Sequence, residues 1–299
     1  MATVEGKRVL VVGNAVLDVV LRVPHHPAED EELRASGRRL APGGNAANTA
    51  VALAALGRCP ALLAVLAEDA EGTALAGMLA RRGVDLAHAV RRPGATPVSY
   101  VLLSAATGAR TIVHHRDLPE LEATDLEAVP LEGFAWVHFE GRNVAALGAM
   151  LDHVRRRAPA VRVSLELEKP RPGLEALAGR ADLVVAARAY AAARGWATPE
   201  AVLAALRARA PRALLVCAWG AAGAVWSAPG GAGGRVPAFR AGPVVDTLGA
   251  GDVLNAGLVH GLLAGLDPGE AVARAVRLAG RKCAREGLDG LGPDDWETP

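Results

Sequence analysis

The chain has 299 residues, of which 51% are hydrophobic, and a formal net charge of +1. That length and apolar content suffice for one large α/β core with at most a small appendage, while the near-neutral charge gives no electrostatic case for nucleic acid or a membrane surface. No apolar run crosses a bilayer's width without charge, Gly or Pro, and the cysteines (Cys59, Cys217, Cys283) lack metal-ligand spacing, so buried free thiols in a reducing cytoplasm are expected.

The opening residues, Met1 to Arg8, lack the layout of a signal peptide. Arg8–Gly13 reads as a buried, β-branched strand, and Val16–Val23 continues as strand with Asp18 interrupting its apolar residues. Pro24 to Gly37 is polar and turn-rich. After Gly43-Gly44 a helix is predicted over Ala46–Leu56, stopped by Gly57. Ala61–Leu66 is a short strand, and Glu71–Arg82 a helix ended by Gly83. Pro97–Leu103 and Arg110–His115 form a predicted hairpin around Ser104–Gly108. Beyond residue 130, apolar runs at Trp136–Phe139, Val161–Leu167, Leu183–Ala186 and Leu214–Ala218 alternate with helical stretches, as at Ala145–Arg157 and Pro199–Ala210. That alternation predicts a parallel sheet covered on both faces. Gly230–Gly234 reads as a hairpin tip, and the tail as two helices, one after Gly251 and one over Pro268–Arg285. The segments 17–42 and 97–117 break the βα alternation and are expected to form a small β-sheet lid on a single domain spanning 1–299.

The most informative stretch is Val245-Asp246-Thr247-Leu248-Gly249-Ala250-Gly251-Asp252. Backbone N–H groups at a helix start have no intrahelical partner and sit at the positive end of its dipole, so they bind anions. Gly249, Ala250 and Gly251 let that backbone approach a phosphate closely. A carboxylate beside an anion site repels the anion, so Asp252 makes sense if it faces a second substrate whose hydroxyl attacks phosphorus. The combination points to phosphoryl transfer to an alcohol.

Other candidates carry simpler competing readings. Gly43-Gly44-Asn45-Ala46-Ala47-Asn48 puts Asn45 and Asn48 on one face of a first helical turn, suited to sugar hydroxyls; read alone, Asn45 is more simply a helix cap. Asp18 lies beyond the first strand, where α/β sheets place ligands; read alone, it is more simply a solvated carboxylate or the partner of an arginine. Arg110 can neutralise a phosphoryl group or be a surface residue. Glu140 and Arg142 read as a mutual ion pair near the same crevice. Ser164, Glu166 and Glu168 alternate on one strand face, which reads as wet sheet surface rather than a holder of metal-bound water. Trp219-Gly220-Ala221-Ala222-Gly223 resembles a nucleotide-contacting turn only weakly. His114 and His115 have no spaced acid or serine partner, which leaves a hydrolase triad unsupported.

Taken together, Gly43–Asn48 and Asp246–Asp252 resemble the two signature regions of ribokinase-like (PfkB) carbohydrate kinases. The middle blocks, Asn14–Val19, Gly108–Ile112, His138–Asn143, Glu166–Arg171 and Val216–Trp219, resemble the ketohexokinase branch of that family. The resemblance implies a three-layer α/β sandwich with a mostly parallel sheet, and a homodimer joined through the β-lid. It implies ATP-dependent phosphorylation of D-fructose at its 1-hydroxyl, with Asp252 as base and Gly249, Ala250 and Gly251 as the anion hole. Asp18, Gly44, Asn45, Asn48 and Asp252 would bind the sugar. Arg110, Gly220 and Gly223 would bind ATP together with the Gly249–Gly251 turn. Mg²⁺ would accompany ATP, and K⁺ is a further candidate. The family's Asn-x-x-Glu motif is missing, since its counterpart is Ala187-Arg188-Ala189-Tyr190, so no residue is assigned as a metal ligand. Two alternatives stay open: a related kinase acting on ribose, adenosine or another sugar, and a non-catalytic sugar or nucleotide sensor, which the intact Asp252 disfavours.

Overall fold

Apolar, β-branched runs bounded by glycine and polar turns become strands, and the amphipathic stretches between them become helices. A computed structural model describes residues 8–297; the opening judged against a signal peptide and the extreme ends of the expected 1–299 domain lie outside the described residues. The chain runs β1 (Arg8–Val12), β2 (Val16–Val23), β3 (Gly37–Gly43) and α1 (Asn45–Ala55), then β4 (Pro60–Leu63), β5 (Val65–Ala67), α2 (Ala70–Arg81) and β6 (Val90–Arg92). It continues through β7 (Val98–Ser104), β8 (Arg110–His115), α3 (Ala123–Glu127), β9 (Phe134–Glu140), α4 (Val144–Arg157) and β10 (Arg162–Leu167). Next come β11 (Leu183–Ala187), α5 (Arg188–Ala193), α6 (Pro199–Arg207), β12 (Leu214–Ala218), β13 (Ala224–Ser227) and β14 (Gly233–Val236). Helices α7 (Ala250–Leu263), α8 (Pro268–Cys283) and α9 (Pro293–Glu297) end it.

Eight strands form the central sheet in the order β14-β13-β12-β11-β10-β9-β1-β4, parallel from β4 to β12 and antiparallel at β13 and β14. Alternate residues feed two cores. Leu10, Val12, Val137 and Phe139 pack toward α4, α5 and α6, and Val9, Val11, Trp136 and Val216 toward α1, α7 and α8. The three-layer arrangement with helices on both faces is the one expected. The strand order reverses where β1 takes β4 on one side and β9 on the other, and such a switch point opens a crevice at the carboxyl ends of the strands. A second, four-stranded sheet, β3-β2-β7-β8, comes from the two segments that broke the βα pattern.

Three local expectations need correction. Ala61–Leu66 is two strands, because Ala64 breaks the run and β5 leaves the sheet to pair with β6. Ser164 and Glu166 are buried at 0% and 5% exposure, so the β10 face read as wet is covered by α1 and α7. Of the thiols, Cys217 is buried, Cys283 half-buried and Cys59 exposed.

Gly223 ends the turn after β12 with φ +87°, and a Cβ there would strike the Val236 carbonyl and the Pro237–Ala238 backbone of the crossing β14 segment. Gly223→Ala is therefore expected to destabilise the protein by about 1–3 kcal/mol, the usual cost of overpacking, read as a lower urea midpoint at unchanged m-value. An unaltered midpoint would remove the packing explanation for this glycine.

Candidate active site

Helix α7 begins at a left-handed Gly249 (φ 78°), and Gly249 and Gly251 of this start line the crevice. The Ala250 amide of that turn points at the Thr247 carbonyl at 3.3 Å. Asp252 lies in the first turn at 6% exposure, and the Asn48 side-chain amide donates to its Oδ2 at 2.9 Å. Asn48 comes from α1, whose cap is the backbone of Gly44 (φ 91°), without a side-chain hydrogen bond. The capping reading of Asn45 is thereby overturned. Its amide donates instead to Glu166 Oε2 at 3.0 Å and Glu168 Oε2 at 3.2 Å. Glu166 Oε1 accepts from Asn255 of α7 at 2.9 Å. Two helices and one strand thus converge on linked amides and carboxylates.

Glu140, at the end of β9, accepts the Asn14 N–H at 2.8 Å and the Ala46 N–H at 3.4 Å, tying the β1 exit to the start of α1. Gly13 is required for this approach, because a Cβ there would lie 2.6 Å from Glu140. Arg142 pairs with Glu140 at 3.6 Å, as expected, and more closely with Glu120 at 2.5 Å.

The small sheet covers these groups. Asp18 sits on its central strand β2 at 6% exposure, and a Cβ at Gly43 would strike its carboxyl. Arg110, on the edge strand β8, reaches across to donate to the Thr247 hydroxyl. Between the two sheets is a cavity of about 250 Å³. Asp18, Gly44, Asn45, Asn48, Arg110, Gly249, Gly251 and Asp252 line it, with Ala250 in the same turn. Gly220 and Gly223 do not; they form the turn beyond β12, and Gly223 has the packing role described above. Asn14, Ser99, Thr247 and Lys169 also line the cavity, although composition and spacing singled out none of them as ligands. Among these, Asn14 directly after a buried strand and a glycine was the one readable signal.

Burial sets the electrostatics. Desolvation, reinforced by Glu166, raises the Asp252 carboxyl well above the usual range, while the Asn48 hydrogen bond opposes the rise. Desolvation and the neighbouring Glu140 push Glu166 up to about 8. Desolvation also raises Asp18 to about 6, against its hydrogen bond to Ser99. Among the described residues no cluster of three or more His, Cys, Asp or Glu has metal-binding geometry. Tyr190, at the place of the missing Asn-x-x-Glu glutamate, is fully buried and donates to Glu175 at 2.7 Å. A raised carboxyl beside main-chain amides and a closing arginine is equipped to take a proton from a hydroxyl that attacks an anionic phosphorus.

Comparison with known proteins agrees with that chemistry. The model of the pfkB family carbohydrate kinases matches residues 7–294. The chain belongs to this family. Mouse ketohexokinase is 36% identical over 96% of this chain and 99% of its own length. A 1-phosphofructokinase of Rhodobacter capsulatus is 33% identical over 89% and 85%. The structure of Arabidopsis thaliana ribokinase complexed with ribose and ATP superposes with a TM-score of 0.80 at 22% identity, over 97% of this chain and 96% of that one. This carbohydrate kinase therefore has a ribokinase-like fold, and it is a phosphotransferase. No helix among the described residues is long and apolar enough to cross a membrane.

Because Glu166 holds its proton more tightly folded than unfolded, stability contributed by this group is full below about pH 4.5 and declines as pH rises toward about 8. Glu166→Gln is expected to flatten the fall of Tm between pH 6 and pH 9. Equal slopes for the two proteins would mean that Glu166 is ionised throughout.

Proposed function

We propose that this kinase transfers the γ-phosphoryl group of ATP to the 1-hydroxyl of D-fructose, giving fructose 1-phosphate. The observation that carries the reading is Asp252, held by Asn48 at 2.9 Å and set in the turn that also presents the α7 amides. The fructose hydroxyl oxygen bonds to the γ-phosphorus as the bond to the ADP oxygen breaks, and the hydroxyl proton passes to the Asp252 carboxylate. A carboxyl raised by burial is a stronger base than an exposed one. The amides of Gly249 and Gly251 stabilise charge on the transferring group, with Ala250 joining once its long bond to Thr247 is released. Arg110 adds a positive charge from the small sheet. Gly44, Asn45, Asn48 and Asp18 offer donors and acceptors to the sugar hydroxyls. Gly220 and Gly223, at the same end of the sheet, border the adenosine side.

Mg²⁺ fits the donor chemistry here, since Glu168, half-buried on the cavity wall, is a hard oxygen group able to hold it. When bound it would offset negative charge on the ATP phosphates. The fructose assignment is supported by the identity to ketohexokinase. The 33% identity to a 1-phosphofructokinase supports a second reading, in which the acceptor is already phosphorylated.

The small sheet would act as a lid and as a dimer contact. Leu40, Val19, Tyr100 and Val113 are successive cross-strand partners, forming an apolar row over β3, β2, β7 and β8. Tyr100 and Val113 are 48% and 60% exposed, which suits burial against a second copy. The free thiols are consistent with a cytoplasmic setting.

Incubation with ATP and fructose, followed by ³¹P and ¹³C NMR of the product, is expected to show fructose 1-phosphate. Phosphorylation at another carbon, or turnover only with fructose 1-phosphate, would overturn the assignment. Asp252→Asn should lower kcat by on the order of 10²–10⁴ with KM for ATP little changed and no loss of Tm; an undiminished kcat excludes Asp252 as base. Val113→Glu should convert the dimer to a monomer in sedimentation at micromolar concentration. A wild-type protein that is already monomeric there removes the lid contact.

A further inference from the structure

Lys282, on α8, has no solvent exposure, and among the described residues it is the only lysine so buried. A buried ammonium is costly unless it is paired and hydrogen-bonded. Its Nζ donates to the main-chain carbonyl of Asp246 at 2.7 Å and lies 3.1 Å from Asp246 Oδ2. Asp246 in turn is saturated: Oδ1 accepts the Leu248 N–H at 2.8 Å, and Oδ2 accepts the Gly287 N–H at 3.0 Å. The neighbouring Cys283 carbonyl accepts the N–H groups of Val245 at 2.8 Å and Asp246 at 3.2 Å. One turn at the end of α8 therefore holds the whole entry to the Asp246–Gly249 loop. That loop has no regular secondary structure of its own to fix it. The positions of the Gly249 and Gly251 amides follow from it.

We infer that Lys282 is a positioning residue for phosphoryl transfer, a built-in cation that holds the Asp246–Gly249 loop so that its amides meet the transferring group. This rests on the kinase reading above. The argument is geometric. The ammonium bonds the backbone where the loop before α7 touches the end of α8, three residues before Gly249, and it neutralises the carboxylate that folds the loop over its own Leu248 amide. Without the ammonium, the Asp246 carbonyl loses its tie to α8 and the Asp246 carboxylate its counter-charge, so the entry to the loop is held less firmly. Misplaced amides weaken stabilisation of the transition state more than binding of the sugar, which is held by α1 and β2.

The test begins with wild-type protein, ATP and fructose in sodium buffer. A wild-type protein that transfers no phosphoryl group to any sugar defeats the kinase reading itself and leaves this loop with no reaction to serve. With an active wild type, Lys282→Met, close in volume but neutral, is expected to lower kcat at least tenfold, with KM for the sugar within about twofold and a folded circular dichroism spectrum. Lys282→Ala leaves room for a small cation, and millimolar ammonium chloride should restore its kcat severalfold while changing the wild type little. Lys282→Met combined with Asp246→Asn leaves no unpaired buried charge, so it guards against misfolding of the single variants, and the same loss of kcat is expected of it. Wild-type kcat in the folded single or paired variant, or a loss that appears wholly in KM, overturns the inference, as does an Ala variant on which ammonium has no greater effect than on wild type.

Discussion

The structure depends on bringing several carboxylates together at the carboxyl end of the central sheet without letting them unfold it. Asp252, Glu140, Glu166 and Glu168 share the rim of one cavity, and the first three are buried. Mutual repulsion and lost hydration both favour the protonated forms of Asp252, Glu140 and Glu166, and the fold offsets this with amides. Asn48 donates to Asp252, Asn45 and Asn255 to Glu166, and the backbones of Asn14 and Ala46 to Glu140. The arrangement sacrifices stability at neutral pH for a carboxyl whose affinity for protons is raised, a common bargain at active sites.

The amides come from particular places because the topology leaves few options. The switch point between β9 and β1 opens the sheet where Asn14 leaves β1 and Glu140 ends β9. Helix α1 starts in that gap, with Gly44 as its cap because a Cβ there would lie 2.5 Å from the Asn14 carbonyl. Helix α7 packs against α1 and against α8, and Gly257 lets the α8 backbone approach so closely that a Cβ would lie 3.0 Å from Ala275. The first turns of α1 and α7 consequently meet over β10. Catalytic side chains carried on helix starts are held more firmly than they would be on free loops, which suits a reaction dominated by positioning.

The small sheet contributes from the other side. It supplies Asp18 from a strand paired on both edges and Arg110 from a strand with one edge open. The firmly held residue lines the cavity. The exposed one reaches across the cavity to Thr247, two residues before the glycine that starts α7.

How far the sequence alone reaches is clear from particular residues. The strand runs, the glycine-stopped helices and the two segments that break the βα alternation were readable because side-chain periodicity and turn chemistry are local. The helix start at Gly249–Asp252 is legible for the same reason, since a glycine turn followed by a carboxylate is a local pattern. Read alone, Asn45 is a cap because a cap is the local solution, and only the approach of β10, 121 residues away, turns it to Glu166. Ser164 and Glu166 were read as wet because alternation on a strand says which residues share a face, not what covers it. The grip of Lys282 on Asp246 spans 36 residues and left no local mark. Sequence determined the elements and the glycine-rich turn before α7, because those follow from contacts a few residues apart. The tertiary structure decided which polar groups are dry and which partners they keep, because desolvation and pairing depend on neighbours brought in from distant parts of the chain.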